Sequence, residues 1–490
     1  MPGAAWGRSA RGPRAAGESS TAAEGRLSID WDPLRLLLFA LTILTVSRVH
    51  QHFPQLARLR PALLLVIVAI GYAYLNPRYL TRANVLAFWP MRLVAVLGVL
   101  ACGSTVFGIS LGRSASFFLD TYIKVLAYAF LLAVSIRHVR DLFTFVWAYV
   151  IGCGILSFFS LFVFGITRSG SSDFARLSNL YMFDANDIGV IMMVGVPLTL
   201  LLLVTVRSNR RARGLLLLIL LGMSASMARS GSRGGFLGFL AVGAAALILV
   251  NSVSVVRRTS ILVLAVVALM LGAPPGYWKQ MGTMLQPKDD YNYSAVDGRK
   301  ALIERGIGYM EKYPLFGLGM NNFSRAECTI GPKIETLSKT GPIRCRPPHN
   351  SYIEAGAELG IPGLLTWVSL VVGVVVTLLR LRGRLPRSWR RGTEAERFIY
   401  GATTFLPLAM IGFAVTSFFV TFAWLDPIYI IAAFTTGLYI SIREQTRERA
   451  GTQTTSAPSV AALTRGTRGW RVARSQQIVV LSGVLPHQRP

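Results

Sequence analysis

Charge is what this sequence has least of. Asp, Glu, Lys and Arg make up 15% of its 490 residues, against roughly a quarter in a soluble globular chain. That scarcity excludes the soluble globular class, and no soluble catalytic domain stands out between the apolar blocks. Histidine occurs five times and cysteine four times. No Cys or His ligand pairs stand at zinc-site spacing, so no metal is expected. The stretch "MPGAAWGRSARGPRAAGESSTAAEGR" lacks an apolar h-region, which excludes a secretory signal and leaves a Gly/Ala/Arg-rich tail. Two similar halves and acidic residues at mid-span, both frequent in transporters, are absent as well.

What is present is apolar, 52% of the chain, and it comes in blocks. Twelve blocks, at roughly 33–49, 61–76, 91–111, 117–136, 141–166, 187–206, 213–229, 234–251, 259–274, 358–380, 398–421 and 426–442, are read as helices, many of them long enough to cross about 30 Å of hydrocarbon. The expected class is an all-α polytopic membrane protein. Its parts are a disordered cytoplasmic tail (1–32), nine spans (33–274), a long periplasmic loop (275–350), three spans (351–442) and a basic cytoplasmic tail (443–490).

The net charge of +28 would suit nucleic acid, but the arginines cluster between apolar blocks. "RSNRRAR" (207–213), the Arg pair 257–258 and "RLRGRLPRSWRR" (380–391) fall on one side of the twelve-span arrangement together with both termini. The positive-inside rule makes that side cytoplasmic, with anionic lipid headgroups rather than nucleic acid as the partner. The opposite side carries the 275–350 connection, and a loop of that length is usually functional. Within it, "DGRKALIERGIGYMEKYPLF" reads as an amphipathic helix capped by Asp297 and ended by Pro314, with Leu302, Ile303, Ile307 and Met310 on its apolar side. Cys328 and Cys345 share this loop, where an oxidising compartment permits a disulfide next to His349. Cys102 and Cys153 fall within spans.

Three basic or titratable groups stand on that side in unusual settings. In "MARSGSRGGFLGFL", Arg229 and Arg233 lie in a very short turn with Gly234 and Gly235 opening the next helix. Guanidinium forks beside a helix N-terminus suit an anion, and interfacial snorkelling is the alternative. Arg299 opens the loop helix, where its charge opposes the macrodipole; a solvated surface arginine is its plain alternative. His349 follows two prolines, with Asn350 and Ser351 placed to cap the helix "YIEAGAELG". A helix N-terminus favours the neutral imidazole, which can accept a proton; the alternative is a structural histidine. Asn186 and Asp187 sit at the entry to a span, where they bind substrate or simply cap. Glu354 lies a turn from His349, to orient it or to balance arginines. The pair Asp289–Asp290 reads as a solvated turn rather than a metal motif.

"SGSRGGFLGFL", "DGRKALIERGIGYMEKYPLFGLGMNNF" and "PHNSYIEAGAELGIPGLL", preceded by "FDANDIGVIMMVGVPL", resemble the ordered motifs of the O-antigen ligase/polymerase family over about 180 to 380. The resemblance implies a GT-C-type glycosyltransferase of the bacterial inner membrane, acting at the periplasmic face on a polyprenyl-pyrophosphate-linked glycan. It assigns His349 to activation of the acceptor hydroxyl, and Arg233 and Arg299, with Arg229 beside them, to the donor pyrophosphate. Asn186, Asp187, Asn350 and Glu354 complete the expected substrate contacts. Such chemistry needs no cofactor: arginine is always charged and can bind two phosphate oxygens, and a neutral imidazole suits proton abstraction. The transfer is therefore expected to be metal-independent and inverting. The acceptor is lipid A–core or a similar hydroxyl under a ligase reading, a second lipid-linked repeat under a polymerase reading, or a protein hydroxyl. A lipid-linked glycan transporter is the alternative from another class.

Overall fold

The computed structural model describes residues 27, 31–77, 79, 84–168, 175–178, 184–250, 254–273, 276–286, 298–331 and 345–455. Most of both expected tails, Asp289, Asp290 and the proposed cap Asp297 lie outside these residues. The chain is an all-α polytopic membrane protein. Its longer helices are α1 (Pro33–Ser47), α2 (Pro61–Leu75), α3 (Trp89–Phe107), α4 (Leu111–Ser135), α5 (Val139–Phe162), α6 (Ala185–Thr205), α7 (Arg210–Ser230), α8 (Arg233–Leu249) and α9 (Val255–Gly272). A two-stranded antiparallel hairpin, Gly165–Arg168 with Ala175–Ser178, separates α5 from α6. Then come the short α10 (Tyr277–Gly282), α11 (Arg299–Lys312), the short α12 (Phe323–Thr329), α13 (Ser351–Arg384), α14 (Glu394–Thr416) and α15 (Asp426–Thr455).

Each of the twelve apolar blocks falls on a helix. Among the described residues, seven helices are long and apolar enough to cross a membrane, and α1, α2 and α8 are shorter apolar helices. The last helix runs past the boundary expected at 442, to Thr455. Helices α6 and α14 form the centre, packed on each other, with α8 against both. Aromatic side chains such as Trp367, Trp424, Phe398 and Phe413 are fully buried among these helices. Large apolar residues on the outer faces, Leu218 and Val372 among them, remain exposed, as lipid-facing positions must.

The loop helix α11 lies against the first turns of α13. Its buried stripe is Leu302, Gly306, Tyr309 and Met310, spaced for one helical face. Ile303 is half-buried beside that stripe, whereas Ile307, expected on the apolar side, is exposed. The reason is Gly306: a Cβ there would come within 2.2 Å of Ile353 Cγ2, so α13 seats on the glycine and turns Ile307 away. The helix starts at Arg299 with Gly298 in the N-cap position, and it ends at Lys312, two residues before Pro314.

Two cross-links tie the loop together. Arg305 donates to Glu327 through Nε (2.8 Å) and pairs through Nη2 (2.5 Å), and Tyr309 donates to the same carboxylate at 2.9 Å. Next to Glu327, Cys328 is disulfide-bonded to Cys345, with their Cα atoms 5.5 Å apart. Cys102 and Cys153 are free thiols, the first exposed and the second buried.

Helix α13 breaks at Gly360, whose φ of 74° is open to glycine and costly for other residues. The segment Pro314–Gly319 inserts at the break. Ile361 N–H donates to the Pro314 carbonyl, while Leu318 and Gly319 donate to the carbonyls of Ala357 and Glu358. A Cβ at Gly360 would meet the Pro314 oxygen at 2.5 Å. The kink thus has an identifiable cause, another chain segment entering the helical ladder.

Candidate active site

The turn between α7 and α8 is Ser230–Gly231–Ser232. Gly231 takes φ 60° as the left-handed end of α7, and Ser232 caps α8 by accepting from Gly235 N–H at 3.0 Å. This places Arg233 at the first position of α8. Its Nη1 donates to Thr283 Oγ1 at 2.9 Å, and Thr283 in turn donates to the Gln280 carbonyl. The residues just after α10 therefore hold this guanidinium from across the gap.

Arg299 occupies the first position of α11, and its guanidinium carbon lies 5.7 Å from the centre of the Phe419 ring. Phe419 comes close because Gly234 has no side chain: a Cβ there would sit 2.7 Å from Phe419 Cβ. Thus the glycine that follows Arg233 seats the ring that supports Arg299.

His349 has φ 47°, a left-handed conformation that costs a non-glycine residue about 1–2 kcal/mol. The segment after α14 holds it there. His349 N–H donates to Thr421 Oγ1 at 3.1 Å, Ser351 Oγ donates to the Val420 carbonyl and accepts from Phe422 N–H, and Glu354 accepts from Ala423 N–H. Asn350 caps α13, its Oδ1 accepting from Tyr352 and Ile353 N–H groups. Burial foremost, then Arg299 and Arg346, pull the imidazole below its ordinary value of 6.5 against the opposing influence of Asp184. The neutral form is favoured.

Arg233, Arg299 and His349, the last 116 residues from the first by subtraction of their numbers, line one cavity of about 770 Å³ together with Thr283. Arg233 and Arg299 are each at a helix N-terminus, and His349 is two residues ahead of a third, so three positive dipole ends converge there. The rest of the wall is mainly apolar, including Phe236, Leu240, Trp278, Leu285, Phe418 and Phe419. Leu240, Trp278, Leu285 and Phe418 are also solvent-accessible, so the cavity is continuous with an exposed apolar surface.

The structure separates Arg229 from this group. Its Nη1 donates to the Leu161 carbonyl in the last turn of α5, and it does not line the cavity. Asn186 and Asp187 belong to the cap of α6: Asp184 Oδ1 accepts from both their N–H groups, and Asp187 accepts from Asp184 N–H. Asn350 and Glu354 are adjacent to the site but occupied with holding the start of α13. Sequence reading missed Thr283, Phe419 and Thr421, which carry no motif and sit far from the residues they support. It also missed Glu358. That buried carboxylate accepts from Trp424 Nε1, Asn321 N–H and Phe323 N–H, joining the inserted loop segment to the residues after α14.

A family model described as O-antigen ligase matches residues 218–368. Over these residues, about a third of the chain, the sequence is similar to the O-antigen ligase family. The ligase-family segment runs from within α7 into α13 and contains Arg229, Arg233, Arg299, His349, Asn350 and Glu354. Asn186 and Asp187 lie outside it. No curated protein matches the chain. The match supports an O-antigen ligase/polymerase-like function in a multi-pass membrane protein; lipid-linked glycan and polysaccharide or lipid A–core are the general substrate classes of that family.

Proposed function

We propose that this protein is a glycosyltransferase that moves a glycan from a polyprenyl-pyrophosphate carrier to an acceptor hydroxyl, on lipid A–core or a similar glycan, at the periplasmic face of the bacterial inner membrane. One observation carries the reading: two arginines and a histidine from three distant segments line a single cavity whose remaining wall is mainly apolar and partly exposed. A donor of this class has the matching halves. Its diphosphate suits the guanidinium and dipole-rich end, and its polyprenyl tail suits the apolar wall.

In the proposed reaction the acceptor oxygen attacks the anomeric carbon, forming the new C–O bond as the bond to the pyrophosphate oxygen breaks. The electron pair leaves with the polyprenyl pyrophosphate, where Arg233 and Arg299 balance the growing charge. His349 takes the hydroxyl proton and later releases it to water. A single displacement inverts the anomeric configuration. Metal-independent transfer is part of the proposal; the charge balance it needs is assigned to Arg233 and Arg299, which line the cavity.

The test uses purified protein, a defined lipid-linked oligosaccharide and three acceptors: lipid A–core, a second lipid-linked repeat unit and a serine-containing peptide. Transfer to the first is expected, insensitive to a chelator. His349→Ala should lower the rate by about 10²–10⁴-fold while leaving donor binding intact. Transfer to the second or third acceptor alone would instead identify a polymerase or a protein glycosyltransferase. An unaffected His349→Ala variant would sink the catalytic assignment and leave transport of the lipid-linked glycan as the better reading.

A further inference from the structure

The cavity has a counterpart at the other ends of the helices that build it. Helix α8 (Arg233–Leu249) starts at the cavity and ends next to Val250, α13 (Ser351–Arg384) starts just after His349 and contains Arg382 near its end, and α14 (Glu394–Thr416) returns from the turn that holds Arg397 to just before Phe419. At the far ends a cleft is lined by Arg207, Arg382, Arg390 and Arg397, with Val204, Leu249, Val250 and Phe405 as its apolar part. The 17 residues of α8 span about 25 Å at 1.5 Å per residue, close to the thickness of a hydrocarbon core. The cleft therefore lies at the membrane surface opposite the cavity.

Its arginines are not equivalent. Arg397 is structural: Nη1 donates to the Gly392 carbonyl at 2.6 Å and Nη2 to the Thr205 carbonyl at 3.2 Å, tying the start of α14 to the end of α6. Arg382 lies over the Tyr400 ring at 5.9 Å. Partial burial, then Arg397, Arg213, Arg390 and Arg391, all act to lower the pKa of Arg207 from the ordinary value. Among the described residues neither Arg207 nor Arg382 forms an ion pair with a carboxylate. Like charges gathered in one cleft repel, and a bound anion would relieve that repulsion.

We propose that this cleft binds the phosphate of an anionic phospholipid, with Arg207 and Arg382 contacting the phosphodiester and an acyl chain lying along Leu249, Val250 and Phe405. A lipid is favoured over a free anion because the basic and apolar linings are contiguous at the depth where headgroup meets hydrocarbon. The proposal is independent of the transfer reaction.

The full-length protein would be extracted from vesicles of phosphatidylcholine mixed with phosphatidylglycerol, and the lipids retained on it weighed by native mass spectrometry. The unmodified protein should keep phosphatidylglycerol in preference to phosphatidylcholine. Arg207→Gln combined with Arg382→Gln should weaken that retention by about tenfold or more. Arg210→Gln combined with Arg211→Gln removes the same charge from exposed positions outside the cleft and should leave retention unchanged. Equal loss in both double variants would mean diffuse charge attraction, and no loss in the first would mean the lipid sits elsewhere. Either result overturns the proposal. So would displacement of the retained lipid by inorganic phosphate alone, which would mark a simple anion site. Thermal denaturation of the first variant, expected to match the unmodified protein in phosphatidylcholine alone, separates lost lipid from lost fold.

Discussion

The backbone N–H of His349 donates to Thr421 Oγ1 at 3.1 Å, joining two residues 72 positions apart. That hydrogen bond holds the imidazole in its left-handed backbone conformation at the threshold of α13. Replacing Thr421 by Val keeps the shape and removes the acceptor. A lost hydrogen bond of this kind is worth about 1 kcal/mol, roughly a fivefold effect, and under the proposed mechanism it should fall on kcat because the positioning of the proposed base is disturbed while the donor's contacts are untouched. Thr421→Ser should behave as the unmodified protein. Steady-state transfer kinetics separate the two variants; a change confined to KM would rule out the positioning role.

The pH profile follows from the surroundings of the same side chain. Burial, Arg299 and Arg346 favour neutral imidazole and Asp184 opposes them, with a net shift below 6.5. The rate should therefore fall on the acid side with a midpoint below 6.5, because a protonated imidazole cannot take the acceptor's proton. Arg346→Gln removes one positive neighbour, stabilises the imidazolium and should move that midpoint upward. The same linkage acts on stability. A depressed folded value means that the unfolded chain binds the proton more readily, so stability is lost as pH falls from 6.5 through the folded value. An acid limb that stays in place in Arg346→Gln would show that another group controls it.

Gly234 offers a separate test of the cavity wall. A methyl group at this position would meet Phe419 at 2.7–2.8 Å, much closer than van der Waals contact. Because the Phe419 ring lies beneath Arg299, Gly234→Ala should displace the arginine as well as the ring. Overpacking of this kind costs about 1–3 kcal/mol. Here it should appear as weaker donor binding, by roughly tenfold, together with a lower melting temperature. Titration of the donor onto the purified variant is the decisive measurement; unchanged affinity would mean that the ring can move without taking Arg299 with it.

The helical architecture and the three candidate residues that line the cavity could be picked out from the chain because each left a local signal. Apolar runs of membrane-spanning length mark the helices, and the short turn at Arg233 and the Pro-Pro-His-Asn sequence mark two helix starts. What could not be read depended on contacts between distant segments. Ile307 carries the hydrophobicity of a buried position, yet Gly306 seats α13 and leaves Ile307 outside. Thr283 and Thr421 are ordinary threonines in sequence, and only the fold brings one to Arg233 and the other to His349. Glu354 is one turn from His349 along the helix, but its carboxylate is engaged by Ala423.

Reduction of the Cys328–Cys345 bond tests whether the loop needs its covalent tie. The cysteines are 17 residues apart, and closing a loop of about that length stabilises by about 3 kcal/mol in the chain-entropy account. Cys328→Ser with Cys345→Ser should raise the rate of proteolysis in the loop while leaving the spans protected. The bidentate contact of Arg305 with Glu327 remains to hold α11 against α12, so the helices should stay folded and transfer should be slowed rather than abolished. Equal proteolysis with and without the bond would show that side-chain contacts alone close the loop.

Arg229 and Arg233 are four residues apart, and sequence gives them nearly the same standing. The structure assigns them different work, because the turn at Gly231 reverses the chain between them. Arg229 satisfies the Leu161 carbonyl at the end of α5, and Arg233 reaches Thr283 across the cavity. Arg229→Ala should leave a helix-end carbonyl without its donor and cost about 1–3 kcal/mol of stability, with donor affinity in the surviving folded protein unchanged. Arg233→Ala should do the reverse, leaving the melting temperature nearly intact and weakening donor binding through the loss of a charge-assisted contact. Arg233→Lys should recover little of it, since an ammonium cannot offer two parallel N–H groups to a diphosphate. Paired melting curves and donor titrations on the three variants decide the matter. If Arg229→Ala weakened donor binding at unchanged stability, the anion would be held on both sides of the turn, and the division drawn from the Leu161 contact would be lost.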